Sequence, residues 1–316
     1  MLKMIIFSIL LSVHLSFAQE VNEIKTSKGM HNFTLTNYDF NGKLYFLLGY
    51  PGTIHVFDSQ TKTVSSVLPK KFNGKSGNFD ISRDGKTLVF SALVRNSWNI
   101  YSASLNNRVR VNSLIERPFR DEDPRLSFDG NEIVYKSDND IHIFNLITGQ
   151  DSEIGNSIEE EWAPSFSPDG RYVAFGRGTD HDANLGQIML HDRYRGLTTF
   201  VTSQYHNWFP VFRENGDLLF ISKRDPLCDD DIYLIPRDSL LYGNPESDLQ
   251  RLSMSKCSNS SQADPWPVYS RDSEMTYLTN WDGPYSVRLH NFTTLEDHFL
   301  ISHDSESILG PILLGY

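Results

Sequence analysis

A pattern of strand, tight turn and strand recurs along most of the chain. In its best copy, Asp169-Gly170 stands before the apolar stretch Tyr172 to Gly176. A glycine after Asp or Asn supplies the positive φ that a tight turn between antiparallel strands requires. The turn positions, spaced 43, 45, 40, 46 and 57 residues apart, are Gly42, Gly85, Gly130, Gly170, Gly216 and Ser273. Repetition at a nearly fixed period predicts an architecture built from one repeated unit.

Two further short strands are predicted after each of these hairpins. The third strands are expected at Thr53–Phe57, Asn99–Ser104, Asp140–Asn145, Gln187–His191, Asp231–Ile235 and Tyr285–His290. The fourth strands are expected at Thr63–Leu68, Arg108–Leu114, Asp151–Ile154, Thr198–Thr202, Leu249–Ser253 and Glu296–Ile301. No stretch shows the 3.6-residue period of an amphipathic helix. Four antiparallel strands in each unit predict an all-β fold, a six-bladed β-propeller of four-stranded blades.

The repeat also resembles that of a known family. Ser167-Pro168-Asp169-Gly170-Arg171-Tyr172-Val173-Ala174-Phe175, with Pro164 upstream, looks like the β-propeller repeat of TolB-type periplasmic proteins, which is similar to WD repeats. The resemblance covers most of residues 30–316 and implies six blades. It implies no function, because propellers host binding proteins, lyases, glycosidases and protease gatekeepers.

The first residues have the features of an export signal. Lys3 precedes an apolar stretch from Ile5 to Phe17, and Ser16-Phe17-Ala18 fits the small-x-small cleavage rule. We therefore predict a signal peptide at residues 1–18, a single propeller domain at residues 19–316, and a periplasmic or secreted protein. An uncleaved membrane anchor is the alternative. After cleavage no transmembrane segment is expected.

The charge balance argues against one class of partner. The chain has 29 Lys and Arg against 40 Asp and Glu, a formal net charge of −11. No window is rich in Lys and Arg, so nothing attracts the phosphates of nucleic acids. We expect no nucleic-acid partner and a monomeric protein.

Polar residues recur where each innermost strand begins. The resembling family commonly has an Asp-x-x-Pro element there, beside the mouth of the central channel. The matching residues here are Asp121, Glu161, Asn207 and Asp264. They either cap the neighbouring backbone or form a polar, mostly acidic ring around a ligand pocket. The same predicted face carries His181, His206, Trp208 and Trp266, and the tryptophans serve either as stacking surfaces or as packing between blades.

The predicted ring raises the question of a metal ion. Like charges about 8 Å apart repel by about 2 kcal/mol at an effective dielectric constant of 20. Asp121, Glu161 and Asp264 therefore need water, protonation or a cation. Hard oxygen donors suit Ca²⁺ or Mg²⁺, so a divalent cation is the cofactor that the pattern favours.

The two cysteines fall on the same predicted face. Cys228 and Cys257 in an exported chain predict one disulfide. It would close a loop of about 30 residues and contribute about 3.5 kcal/mol. Two buried free thiols are the alternative.

Two functions remain open at this point. The first is an exported binding or interaction module in the periplasm or cell envelope, without chemistry of its own. Its partner would be an envelope protein, a small ligand or an oligosaccharide at the channel mouth. The alternative is a carbohydrate-active enzyme, either a metal-dependent oligosaccharide lyase or a glycoside hydrolase. No Gly-x-Ser-x-Gly, His-Glu-x-x-His or Cys-x-x-Cys motif points to other chemistry.

The tail of the chain carries a prediction about closure. Gly310 to Leu314 has the proline and the apolar register of the other innermost strands. We therefore expect it to pair beside Leu44 to Leu48 as the central strand of the first blade. Asn32 to Thr36 is the competing candidate for that position.

Overall fold

The computed structural model describes residues 22–23, 33–35, 40–106, 108–154, 157–178, 186–225, 230–252, 268–269, 274–279, 286–303 and 308–315. Strands account for most of these residues. Within them, no helix is long and apolar enough to span a membrane.

The strands are numbered here in chain order. The first nine are β1 (Asn22–Glu23), β2 (Phe33–Leu35), β3 (Gly42–Gly49), β4 (Gly52–Asp58), β5 (Thr63–Ser66), β6 (Ser76–Ile81), β7 (Thr87–Val94), β8 (Ser97–Ser104) and β9 (Arg110–Ile115). The next eight are β10 (Asp121–Leu126), β11 (Glu132–Ser137), β12 (Asp140–Asn145), β13 (Asp151–Glu153), β14 (Glu160–Phe166), β15 (Tyr172–Gly178), β16 (Gln187–Asp192) and β17 (Leu197–Phe200). The last nine are β18 (Asn207–Phe212), β19 (Leu218–Ser222), β20 (Asp231–Ile235), β21 (Gln250–Arg251), β22 (Val268–Tyr269), β23 (Glu274–Thr279), β24 (Ser286–Asn291), β25 (Glu296–His303) and β26 (Ile308–Gly315).

The described strands pair into successive four-stranded antiparallel units. Their orders are β26-β3-β4-β5, β6-β7-β8-β9, β10-β11-β12-β13, β14-β15-β16-β17, β18-β19-β20-β21 and β22-β23-β24-β25, called here the first to the sixth unit. One bridge, between Gly52 and Ser76, joins the first unit to the second. The prediction of an all-β chain of four-stranded antiparallel sheets is confirmed.

Helical structure is confined to short connections among the described residues. A six-residue helix, α1 (Arg237–Tyr242), follows β20, and 3₁₀ turns occur at Lys70–Phe72 and Pro245–Ser247. The sequence pattern predicted no helix, and α1 corrects that prediction. A helix of six residues has fewer than two turns, so it shows no hydrophobic period. Leu240 alone of its residues is buried.

The innermost strands surround a common axis. β26 contacts β6, β6 contacts β10, β10 contacts β14, β14 contacts β18, β18 contacts β22, and β22 contacts β26. The second strand of each unit is strongly apolar. Its large side chains, such as Phe90 in β7, Phe175 in β15 and Phe220 in β19, are fully buried. These side chains fill the spaces between neighbouring units and form the core.

Each proline-containing innermost strand in the described part of the chain has the same bulge. Asp123, Ala163, Phe209 and Gly310 have φ values of 52°, 49°, 51° and 53°, and each directly precedes a proline. The pairing with the next strand shifts register at these positions. The Asp-x-x-Pro element is therefore a β-bulge, which re-aims the side chains on either side of it.

The Asp-Gly turns adopt the predicted conformation. Gly85, Gly130, Gly170 and Gly216 have positive φ values between 67° and 89°. A serine supports the turn: the Ser127 hydroxyl donates to Asp129 at 2.6 Å and accepts from the Glu132 N–H at 2.9 Å. Gly42 differs, because it is the first residue of β3. Ser273 lies outside the described residues.

The tail closes the sheet as predicted. β26 pairs with β3, with Ile312 opposite Tyr45 and Leu313 opposite Leu44. The competing segment is placed elsewhere, since Phe33 to Leu35 pairs with the outer edge of β25. The two ends of the chain thus occupy different edges of adjacent units.

Truncating the Ile312 side chain tests this closure. Ile312 is only 3% exposed, so Ile312→Ala should lower the free energy of unfolding by about 2–5 kcal/mol in urea titrations. The matched control is Ile147→Ala, which removes a side chain that is 74% exposed and should change stability by less than about 0.5 kcal/mol. Equal stability of the two variants would contradict the closure, as would an unchanged melting temperature after deletion of residues 309–316.

Candidate functional site

The first two Asp-x-x-Pro carboxylates are buried and paired with arginines. Neither Asp121 nor Glu161 has an exposed side chain. Arg117 Nη2 lies 3.0 Å from Asp121 Oδ1, and Arg177 donates from Nε and Nη2 to Glu161 Oε1 at 3.0 and 2.7 Å. Glu161 Oε2 also accepts the Ile141 N–H at 3.2 Å. Each carboxylate therefore meets a guanidinium rather than another carboxylate.

Asn207 occupies the same position in the fifth unit. It is fully buried and accepts a hydrogen bond from Arg224 Nη2 at 3.1 Å. Its amide nitrogen donates to the carbonyls of Gln204 and Tyr205. These bonds tie the start of β18 to the loop before it. Asn207 therefore caps the neighbouring backbone, which is one of the two roles considered for these polar residues.

Burial and pairing oppose each other at the two carboxylates. Burial raises the pKa of Asp121 and the pKa of Glu161, whereas Arg117 and Arg177 act to lower them. The guanidinium groups supply positive charge at the positions where the sequence predicts a cation. No group of three His, Cys, Asp or Glu side chains within the described ranges is arranged to hold a metal ion. A Ca²⁺ or Mg²⁺ ion at Asp121 and Glu161 remains a prediction.

The other predicted members of the site are only partly described. His206 accepts the Gly186 N–H at 2.9 Å through Nδ1, and its ring centroid lies 4.2 Å from that of Trp208. Both rings are half-buried. Asp264, Trp266, His181, Cys228 and Cys257 lie outside the described residues, so the predicted disulfide and that part of the ring stay predictions.

Another tryptophan shows how an indole packs on this face. Trp162 lies across Gly176 of the neighbouring strand, where the methyl group of an alanine at position 176 would come within 2.3 Å of the indole Nε1. Glycine at position 176 thus provides the space for the indole. Trp162 packs within its own unit, which matches the packing alternative for tryptophans on this face.

A second location lies nearer the opposite end of the channel. Two residues after each of the four bulge positions, the innermost strands place one side chain each on a cavity of about 80 Å³, namely Arg125, Ser165, Val211 and Ile312. Asp80 of β6 also lines the cavity and follows a register shift between Ser76 and Phe79, so five units contribute. Reasoning from the sequence missed this cavity. The signal available was the polar residue directly after the repeat's proline, Arg125 and Ser165.

Two of these side chains join neighbouring units. Asp80 Oδ2 accepts the Leu126 N–H from the next unit at 2.8 Å, and its Oδ1 accepts the Ile81 N–H at 2.8 Å. Ser165 Oγ accepts the Phe212 N–H of its next unit at 3.2 Å. Burial raises the pKa of Asp80, while Arg125 and the two N–H groups act to lower it. These side chains therefore hold the cavity wall in place.

An ion pair lies over this end of the channel. Arg83 Nη1 is 2.6 Å from Glu214 Oε1, and the Arg83 guanidinium lies 3.8 Å from the centroid of the Phe128 ring. All three residues occupy the same position in their respective turns, directly before Asp84, Asn215 and Asp129. They come from the second, fifth and third units, so the pair joins non-adjacent parts of the ring.

Removal of the Asp80 carboxylate tests the inter-unit bonds. Asp80→Ala leaves the Leu126 and Ile81 N–H groups without their acceptors, which should cost about 1–3 kcal/mol for each group. Asp80→Asn is the matched control, because it keeps an acceptor oxygen and should lose less. Urea unfolding measures both variants. An Asp80→Ala protein as stable as wild type would contradict a joining role.

Removal of Arg177 tests the pairing at Glu161. Arg177→Met leaves a buried carboxylate unpaired, and the expected loss at neutral pH is about 3–5 kcal/mol. Without Arg177 the folded-state pKa of Glu161 rises further above its unfolded value. Between the unfolded-state and folded-state pKa of Glu161, the folded protein then binds more protons than the unfolded one. The loss of stability should therefore grow as pH rises through this range and shrink as pH falls.

Two controls accompany this variant. Glu161→Gln added to Arg177→Met removes the unpaired charge and should recover part of the stability and abolish its pH dependence. Arg195→Met removes an arginine that is 72% exposed and should have little effect. If the stability lost in Arg177→Met does not depend on pH, then packing rather than charge accounts for the contact between Arg177 and Glu161.

Comparison with known proteins gives a likeness of fold. No protein-family model matches the chain, and no curated protein matches its sequence. The structure is similar to TolB from Acinetobacter baumannii, with a TM-score of 0.66 and 16% identity over 89% of this chain and 68% of that chain. A protein assigned as TolB from Agrobacterium tumefaciens gives a TM-score of 0.60 and 17% identity over 87% of this chain and 91% of that chain.

An enzyme is also among the similar structures. An oligogalacturonate lyase in complex with manganese gives a TM-score of 0.53 and 15% identity over 89% of this chain and 72% of that chain. Identities this low support a shared fold and nothing finer. The β-propeller fold expected from the repeat is thereby confirmed, and the chain's structure is similar to those of TolB-type proteins.

Proposed function

We propose that this chain is an exported, six-bladed TolB-like β-propeller that acts as a binding or interaction module in the periplasm or cell envelope. The six four-stranded units and the closed order of contacts among their innermost strands support six blades. The signal-peptide features of residues 1–18 support export. The propeller's ligand would bind in the channel cavity beneath Arg83 and Glu214.

The observation that carries the proposal is the construction of this cavity. Side chains of five units line it, and Asp80 and Ser165 are held by backbone N–H groups of the next unit. A pocket with fixed walls binds without having to order its own side chains. Both oxygens of Asp80 already accept hydrogen bonds, which suits a structural carboxylate better than a general base.

The carbohydrate-active alternative depends on the other end of the channel. The likeness to an oligogalacturonate lyase is one of fold, and the two described carboxylates there are paired with arginines. An assay must therefore address this alternative directly.

Methyl NMR tests the binding proposal. We expect small fragments to shift the methyl signals of Val211, Ile312 and Leu314, which line the cavity. Val211→Trp should fill the cavity and abolish these shifts. Thr199→Trp adds the same ring at an exposed strand position and should leave them intact. A screen in which no fragment shifts cavity methyls, or in which Val211→Trp keeps the shifts, would contradict the proposed site.

Two further measurements address export and enzymatic activity. Fractionation of cells expressing the full chain, with N-terminal sequencing of the product, should place it outside the cytoplasm with Gln19 as its first residue. Incubation with oligogalacturonate and Mn²⁺ should leave the ultraviolet absorbance unchanged. An absorbance increase from an unsaturated product would replace the binding proposal with the lyase.

A further inference from the structure

We infer that the channel cavity recognises a ligand carboxylate joined to a short apolar group, with Arg125 contacting the carboxylate and the Arg83–Glu214 ion pair covering the opening. This inference rests on the proposed binding function and specifies its ligand. It follows from the donors, the apolar wall, the size and the cover of the cavity.

Arg125 has donors to spare. A guanidinium carries five N–H donors, and among the described residues Arg125 makes one hydrogen bond, from Nη1 to the Phe79 carbonyl at 3.2 Å. It forms no ion pair within 4.0 Å there, because the oxygens of nearby Asp80 receive backbone N–H groups instead. Arg125 lines the cavity and is half-buried. Its remaining donors therefore suit a planar, two-oxygen acceptor, which a carboxylate provides.

The other side of the cavity is apolar. Val211 and Phe212 of the fifth unit and Ile312 and Leu314 of the first unit line it, together with Phe166. A ligand with one charged end and one apolar end would satisfy both walls at once. Apolar surface on the ligand would then leave water, which favours binding in proportion to its area.

Size restricts the apolar group. A volume of about 80 Å³ is well below the roughly 300–1,000 Å³ of pockets that hold drug-sized ligands. It suits a small branched alkyl group with its carboxylate, and it excludes an oligosaccharide as an enclosed ligand. Such a group is found both in free short-chain acids and at the C-terminus of a peptide that ends in Leu.

The cover over the opening is easily displaced. The Arg83 and Glu214 side chains of the ion pair are 39% and 28% exposed, and ion pairs with such access to water hold their partners weakly. Arg83 also lines the cavity, so a carboxylate would approach two guanidinium groups.

Calorimetry with matched ligands tests the inference. The probes are isovalerate and isovaleramide, which share shape and differ in charge. The wild-type protein should bind isovalerate about tenfold or more tightly than the amide, and Arg125→Gln should remove this difference. Arg125→Lys should keep part of the preference, because it keeps the charge without the planar fork. Arg171→Gln changes an arginine outside the cavity lining and should bind like wild type.

Peptides identify the source of the carboxylate. A pentapeptide ending in Leu is compared as the free acid and as the C-terminal amide. If the peptide acid binds more tightly than the peptide amide, and Arg125→Gln loses this difference, the ligand is the C-terminus of a peptide. If the protein binds isovalerate but does not bind the peptide, the ligand is a small acid.

Four results would overturn the inference. Equal binding of acid and amide by the wild-type protein would exclude carboxylate recognition, whatever the folding of the variants. Unchanged acid preference in a folded Arg125→Gln protein would exclude Arg125 as its source. If neutral fragments shift the cavity methyls while no acid binds, the binding function stands and the carboxylate inference fails. If nothing binds in the cavity, both fail.

Discussion

Hydrogen bonds from one unit to the next are the constraint on which the channel depends. A propeller unit pairs its strands internally, so nothing in its own ladder fixes its angle to its neighbour. Here Asp80 and Ser165 reach across to the backbone N–H groups of Leu126 and Phe212. A register shift precedes each of them, between Ser76 and Phe79 in β6 and between Trp162 and Ser165 in β14, and such a shift re-aims the side chains beside it. Two side chains that join neighbouring units therefore also form part of the cavity wall.

The two ends of the channel are built differently as a result. Before the bulge, the innermost strands bury Asp121, Glu161 and Asn207 against Arg117, Arg177 and Arg224. After the bulge, the next channel-facing positions line an open space beneath an ion pair. One short element thus separates an end where Asp121, Glu161 and Asn207 each contact an arginine from an end where Arg125 has unused hydrogen-bond donors.

The sequence predicted the strands well because local rules determine them. Alternating apolar stretches and positive-φ glycines located β12 and β20 to the residue, and the Gly85, Gly130 and Gly170 turns. The sequence did not predict which side chains the site residues contact, because the bulge changes the register between paired strands. In β14, Ser165 pairs with Ala174, and an unbulged hairpin would place Glu161 opposite Gly178. The observed partner is Arg177. A one-residue slip moves every side chain to the other face, so the arginine pairing depends on a bulge that the pattern did not reveal.

The placement of β2 and β26 has a consequence for the order of assembly. β2 extends the outer edge of the sixth unit, and β26 supplies the innermost strand of the first. Each end of the polypeptide is thus needed by a unit made mostly from the other end. β26 follows all the other described strands in the chain, so a ribosome, which synthesises from the N-terminus, makes it after them, and the first sheet lacks its inner strand until then. The first sheet is therefore completed only after the strands of the other units have been made.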